Sequence, residues 1–338
     1  MKRSVQLAIV SSVVLGLAAC GGGGGSSPTT GGGGSTTTTS GNLATSVPTP
    51  TYAAGSVEMN MFTQLNQIRS AGGFGMLAQN TALDASAKAH ANYMFANYYT
   101  GGLWSSAMYS VDPATGWLLA HVERVGNPGF TGVLPVDRAI AQGYKTSYVA
   151  EVSAPLYTSS MERPYPGCID ELLTTVFHRG PLLDTQLRDF GASVSTSTDG
   201  GAVTCIVEPA FTTANQGFVP TGWVALYPYD RETGLATTML YGEAPDPVPS
   251  APIKGNPVSI YVEPQNTLTV TSFTLSDKTG AQVPVVLLQK ANFPQYLSAA
   301  EAYIVPTQAL SSGMTYTVQF IGTNNGSPLS RTWSFTTR

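Results

Sequence analysis

The sequence predicts an α+β protein in which a mixed helix-and-strand half precedes a small all-β sandwich. Three observations carry this expectation. Apolar residues recur at helical spacing up to Val176, short alternating strands take over after Val258, and Ala244-Pro245-Asp246-Pro247-Val248-Pro249 separates the two patterns. The 338 residues leave room for two domains at about 150 residues each. Charged residues are 11% of the chain and apolar residues 42%, where about 25% charged is usual. That balance argues against charged disorder and coiled coil, and the net charge of −4 offers no basic footprint for nucleic acid.

Residues 1–19 read as a signal peptide. Lys2 and Arg3 form its basic start, and Val5 to Leu17 form an apolar stretch too short for a comfortable membrane span. It ends Leu17-Ala18-Ala19-Cys20, which resembles the bacterial lipobox; the resemblance implies that Cys20 becomes the lipidated N-terminus after cleavage. Gly21, rather than Asp, follows it, which points to the outer membrane or cell surface of a diderm bacterium. The membrane is therefore an expected partner through the lipid. Residues 20–53 are rich in Gly, Ser, Thr and Pro, have little to bury, and read as a flexible tether.

Residues 54–243 form the mixed half. Val57, Met61, Leu65 and Ile68 mark a first helix stopped by Gly72-Gly73. Leu83, Ala87, Ala91, Met94 and Tyr98 mark a second, Pro135 opens a third that stops near Gly143, and Ile169, Leu172, Leu173 and Val176 mark a fourth. Strand-like runs follow at 190–195, 202–207 and 222–227. A Pro-rich linker at 244–257 leads to the all-β region 258–338, whose tail resembles bacterial immunoglobulin-like modules. Two independently folding units divided at the linker are expected.

With Cys20 assigned to the lipid, Cys168 and Cys205 remain as an even pair in an oxidising compartment. Bonded, they would stabilise the fold by about 3–4 kcal/mol on the chain-entropy account; the alternative is two buried free thiols. Three His residues are present. His90 lies near the apolar stripe of the second helix and reads as a hydrogen-bonded structural residue. His121 precedes a Gly/Pro-rich turn, and His178 follows the fourth helix. Glu151 sits among Tyr148, Val149 and Val152, where a buried carboxylate needs a partner.

The ordered set Leu65-Asn66-Gln67-Ile68-Arg69, Leu77-Ala78-Gln79-Asn80, Leu83-Asp84, Arg138-Ala139-Ile140, Val149-Ala150-Glu151-Val152, Ile169-Asp170-Glu171-Leu172, His178-Arg179 and Phe190-Gly191-Ala192 resembles the CAP superfamily of cysteine-rich secretory proteins, antigen 5 and plant pathogenesis-related proteins, also called the SCP domain. The resemblance implies an α-β-α sandwich with a central cleft of two His and two Glu. By position His121, Glu151 and His178 are three of the four, and Thr175 stands where the second Glu is expected. Glu171, seven residues before His178, lies roughly 10 Å away along a helix, too far to share a ligand with it. Glu123 is an alternative carboxylate, two residues from His121.

The resemblance implies a cleft that holds zinc or another divalent metal through His121, Glu151 and His178, although no cofactor is certain from these residues. Three roles stay open. The first is a non-enzymatic binding module for a lipid, sterol or cell-wall ligand. The second is a metal-dependent hydrolase using the same cleft, and the third is an envelope spacer. No Gly-x-Ser-x-Gly motif is present, so nothing marks a nucleophile elbow and no catalytic residue is assigned.

Overall fold

The computed structural model describes residues 40–145, 148–158, 167–240 and 242–338. The signal peptide, Cys20 and residues 21–39 of the expected tether lie outside the described residues.

Helix α1 (Val57–Gly72) starts where the Ser56 side chain accepts from the Met59 N–H, and it ends on Gly73, whose left-handed backbone closes the last turn onto the Arg69 and Ser70 carbonyls. Strand β1 (Ala78–Gln79) follows, then helix α2 (Thr81–Tyr98), capped by the Asn80 side chain. The short strands β2 (Tyr99–Thr100) and β3 (Leu103–Trp104) pair with each other. Helix α3 (Pro135–Ala141) opens on Pro135, with the Asp137 side chain accepting from the Leu134 N–H. Strands β4 (Tyr148–Val149) and β5 (Val152–Tyr157) precede α4 (Cys168–Leu173) and α5 (Arg179–Leu183). Strands β6 (Asp189–Thr196) and β7 (Ala202–Phe211) complete a five-stranded sheet with β1, β4 and β5.

Helices cover both faces of that sheet. Met61, Phe62 and Leu65 of α1 and Ile169 and Leu172 of α4 pack on Phe190, Val203, Cys205 and Val207. On the other face Ala87, Ala91 and Met94 of α2 pack on Ile206. Gly191 permits the close approach of α2, because a Cβ there would lie 2.3 Å from the Leu83 Cβ. Every residue of β7 is buried, as strands covered on two faces require. Cys168 and Cys205 are bonded, joining the start of α4 to β7.

The fourth helix is shorter than its periodicity predicts. It stops at Leu173 because the Thr174 and Thr175 hydroxyls donate back to the Glu171 and Leu172 carbonyls, each at 2.7 Å, in place of a continuing ladder. A separate turn, α5, begins right after His178.

The strand-like run expected at 222–227 in the mixed half is β8 (Val224–Tyr227), and it and β9 (Glu232–Leu235), which the sequence reading does not anticipate, pair with later strands. These are β10 (Val258–Val262), β11 (Leu268–Asp277), β12 (Val285–Gln289), β13 (Glu301–Pro306), β14 (Thr315–Asn324) and β15 (Ser327–Thr337). They form two four-stranded sheets, in the orders β12-β13-β10-β8 and β11-β14-β15-β9. The sheets share a core of Ile260, Ile304, Phe273, Val318, Phe320, Trp333 and Phe335. Strand β9 joins parallel to β15 through a register that the intervening sequence cannot announce.

The expected division at 243/244 is therefore crossed from both sides. The outer face of the first sheet, with Tyr227, Tyr261, Tyr303 and Val305, belongs to the same hydrophobic cluster as α1 and α4. Arg179 is fully buried at this junction. It donates to the Leu173 and Pro257 carbonyls and to Asn256 Oδ1, and lies 4.7 Å above the Tyr227 ring.

Residues 40–53, expected within the tether, are likewise docked. The Asn42 N–H donates to the Phe218 carbonyl, Arg188 to Asn42 Oδ1, and Tyr52 Oη to Asp84 Oδ1, while Val47 and Tyr52 pack on the main core. Gly/Thr composition misleads here because four or five interspersed side chains are enough to anchor an extended segment.

Candidate functional site

His121 ends a 3₁₀ turn, Leu119–His121, whose carbonyl accepts from the buried Arg138 guanidinium of α3 at 3.1 Å. Its side chain is 14% exposed, and the Trp117 ring lies edge-on to it with centroids 6.3 Å apart. His121 Nδ1 is 2.9 Å from Glu151 Oε1, and the other Glu151 oxygen accepts from Arg138 Nη2. Burial works to raise the Glu151 carboxyl, but Arg138, His90 and His121 outweigh it and hold it well below the usual carboxylate range. Glu151 is thus an ionised acceptor, so His121 Nδ1 carries the proton of that bond. Burial pushes the His121 imidazole down, opposed by the bond to Glu151. The ring is consequently neutral, with Nε2 as a lone pair.

His178 shows the same arrangement built from other parts. Its Nδ1 lies 3.0 Å from Thr175 Oγ1 and 3.3 Å from Glu243 Oε1. The Thr175 hydroxyl already donates to the Leu172 carbonyl, so towards the ring it can only accept. Neither His121 Nε2 nor His178 Nε2 has a hydrogen-bond partner among the described residues.

His121, Thr175, His178 and Glu243 line one cavity of about 60 Å³, with Ser153 and Leu240. A larger groove, about 610 Å³, shares Tyr109, Pro155, Leu156, Leu240 and Gly242 with it. Its walls add Tyr157 and Met239, and Asp170, Glu171 and Arg338 sit among its polar residues. The site is a narrow pocket holding two imidazoles beside a mostly apolar groove with which it shares a wall.

The expected cleft residues are thus brought together, but not as a metal set. Both Glu151 oxygens are occupied by His121 and Arg138, so Glu151 orients a ring instead of facing the cavity. Both Glu243 oxygens are likewise held by backbone N–H groups, those of Val176 and Phe177. Two imidazole nitrogens remain, and among the described residues no group of three or more His, Cys, Asp or Glu is placed to hold a metal ion. The three-ligand zinc arrangement expected of His121, Glu151 and His178 does not fit these side chains.

Glu123 does not serve the cleft either. It is fully buried, with Oε1 3.1 Å from His90 Nδ1 and Oε2 accepting the Thr131 N–H at 2.6 Å. His90 is the structural residue its position suggests, bonded also to the Ala120 carbonyl at 2.9 Å. Behind the cleft, Glu208 accepts from Ser86 Oγ at 3.0 Å; burial, and then repulsion from Glu151, raise its carboxyl well above the ordinary value.

Glu243 is the residue that sequence reasoning missed. Its neighbours Gly242, Ala244 and Pro245 read as linker, and it stands 65 positions from His178. A lone acid at the mouth of a Pro-rich run is the only signal it carried.

Residues 62–207 match the family model described as CAP, the cysteine-rich secretory protein family. The matched span contains His121, Glu151, Thr175 and His178 and stops short of Glu243. An outer surface protein of Borrelia burgdorferi is a solved structure similar to this chain at 12% identity. The likeness covers 47% of this chain and 96% of that one, with a TM-score of 0.33. No curated protein matches the chain.

Proposed function

We propose that this chain is an exported, surface-anchored CAP-domain lipoprotein whose cleft binds a ligand without turning it over. The observation that carries the reading is the pair of imidazoles, His121 and His178. Each is tied down at Nδ1, and both line one cavity. The lone pair at His121 Nε2 demands a donor, so the ligand presents a hydroxyl or amine hydrogen there. The apolar groove beside the pocket suits the body of an amphiphile. A neutral-headed lipid or sterol-like molecule, or a hydroxyl-rich cell-wall fragment with an apolar part, meets both demands. The lipobox supports the anchor at Cys20, and the Cys168–Cys205 bond supports an oxidising compartment. The C-terminal sheets, with their immunoglobulin-like tail sequence, complete one wall and serve as its support.

Mass spectrometry of what co-purifies with the protein tests this. A hydroxyl- or amine-bearing amphiphile should be recovered at least tenfold more from the wild type than from the His121→Ala, His178→Ala double variant. Equal recovery from both would remove the cleft from the binding role. Turnover of an ester, peptide or glycoside panel that is abolished by Glu151→Gln would establish a hydrolase instead.

A further inference from the structure

The connection from β9 to β10, residues 236–257, belongs to the C-terminal sheets at both ends, yet it reaches back to the cleft. It is pinned on the way: the Leu240 N–H donates to Thr174 Oγ1 at 2.9 Å, and the Met239 N–H donates to the Lys254 carbonyl at 2.9 Å. From this connection the Glu243 side chain, itself fully buried, enters the turn between α4 and α5. Its Oε2 accepts the Val176 N–H at 2.9 Å, and its Oε1 accepts the Phe177 N–H at 2.5 Å. The same Oε1 lies 3.3 Å from His178 Nδ1.

We infer that Glu243 is the positioning residue that fixes His178 in the Nδ1–H form, so that the cleft is completed by the C-terminal half and is not a property of the family-matched span alone. The inference rests on the ligand-binding reading of the cleft for its meaning, but its geometry stands without any ligand. Glu243 sets a carboxylate oxygen 3.3 Å from His178 Nδ1, where Glu151 stands 2.9 Å from His121 Nδ1; the hydrogen bond of the His178 nitrogen goes to Thr175, and the Glu243 charge beside it favours a proton on Nδ1. The two orienting carboxylates come from opposite sides of the chain's midpoint, one beside β5 and one between β9 and β10. Thr175, where the family pattern implies a carboxylate, contributes only a hydroxyl to the same nitrogen. A hydroxyl already donating to a backbone carbonyl is a neutral acceptor, so the negative charge beside Nδ1 comes from Glu243 alone. Loss of the carboxylate at 175 is thereby compensated from 68 positions downstream.

Nitrogen NMR of the imidazoles in the detergent-solubilised full chain, with no ligand added, reads this directly. In the wild type His178 should be almost wholly the Nδ1–H tautomer at a pH where the ring is neutral. Glu243→Gln exchanges the charged acceptor for a neutral amide and should enlarge the Nε2–H population roughly tenfold, while His121, held by Glu151, stays unchanged. Glu243→Asp, which keeps the charge, should restore most of the original ratio. A residue that merely capped the Val176 and Phe177 N–H groups would leave the tautomers of His178 unmoved. A folded Glu243→Gln variant with the wild-type ratio overturns the assignment, as does a shift seen only in Thr175→Val. Should Glu243→Gln not fold, the wild-type spectrum decides, because a dominant Nε2–H tautomer at His178 contradicts the inference by itself. None of these outcomes depends on whether an amphiphile binds.

Discussion

The two halves are held together by different physics. In the outer C-terminal sheet burial follows the strand period along β14: Tyr316, Val318, Phe320 and Gly322 are buried while Thr315, Thr317, Gln319 and Ile321 are exposed. In the mixed half the largest fully buried side chains are three arginines, Arg69, Arg138 and Arg179. Arg69 donates to the Gly75, Leu182, Phe74 and Asp184 carbonyls, and burial lowers its pKa to about 9. Arg138 holds the His121 carbonyl and Glu151, and Arg179 holds the junction with β10. Each guanidinium satisfies carbonyls that no ladder reaches. The lesson is that regular sheets need only an apolar pattern, whereas a cleft made of irregular backbone needs buried donors to replace its missing hydrogen bonds.

The largest expected effect breaks the comparison at its junction. Arg179→Ala leaves the Leu173 and Pro257 carbonyls and Asn256 Oδ1 buried without a donor, and should cost roughly 3–5 kcal/mol. Urea unfolding would record it as a lower midpoint. A loss under about 1 kcal/mol would show that the arginine anchors are dispensable and that apolar packing alone holds the mixed half.

A smaller effect concerns Glu232 of β9, whose carboxyl burial raises to about 8. An acid whose folded pKa lies above its unfolded value contributes stability that is fully present below about 4.5. That contribution is lost as pH rises through about 8, because the folded state holds the proton more tightly. Wild-type protein should therefore lose stability on the order of 2 kcal/mol between pH 5 and pH 8.5 through this group. Glu232→Gln should flatten that fall. An equal slope in both proteins, measured by urea titration at the two pH values, would remove Glu232 as its source.

The smallest effect sharpens the contrast. Trp333 is buried in the sandwich core, and its Nε1 has no hydrogen-bond partner among the described residues. Trp333→Phe removes an uncompensated donor along with some apolar area, so the net change should stay within about 1 kcal/mol. A loss of 3 kcal/mol or more, on the scale of a deleted core ring, would mean that ring volume alone governs this core.

Much of the fold was legible because its signals are local. Ser56 and Gly73 bound α1, Asn80 caps α2, Pro135 opens α3, and the alternation of β14 marks a half-buried strand whatever it pairs with. The cysteine pair could be read from parity and compartment, and His121, Glu151, His178 and Thr175 only through the resemblance to the CAP superfamily. The helix and strand signals depend on residues a few positions apart.

What the tertiary structure alone decided depends on partners far away in the chain. The segment 40–53 docks because Asn42 and Tyr52 find Phe218, Arg188 and Asp84. Strands β8 and β9 join the C-terminal sheets through β10 and β15, which lie beyond the Pro-rich run. Glu151 orients a histidine because Arg138 and His121 occupy its two oxygens. Glu243 reaches His178 because the strands on either side of it, β9 and β10, are held in the C-terminal sheets while the connection between them lines the cleft. A carboxylate's role is set by which donors surround it, and those donors are chosen by chain closure over tens of residues, which no local spacing encodes.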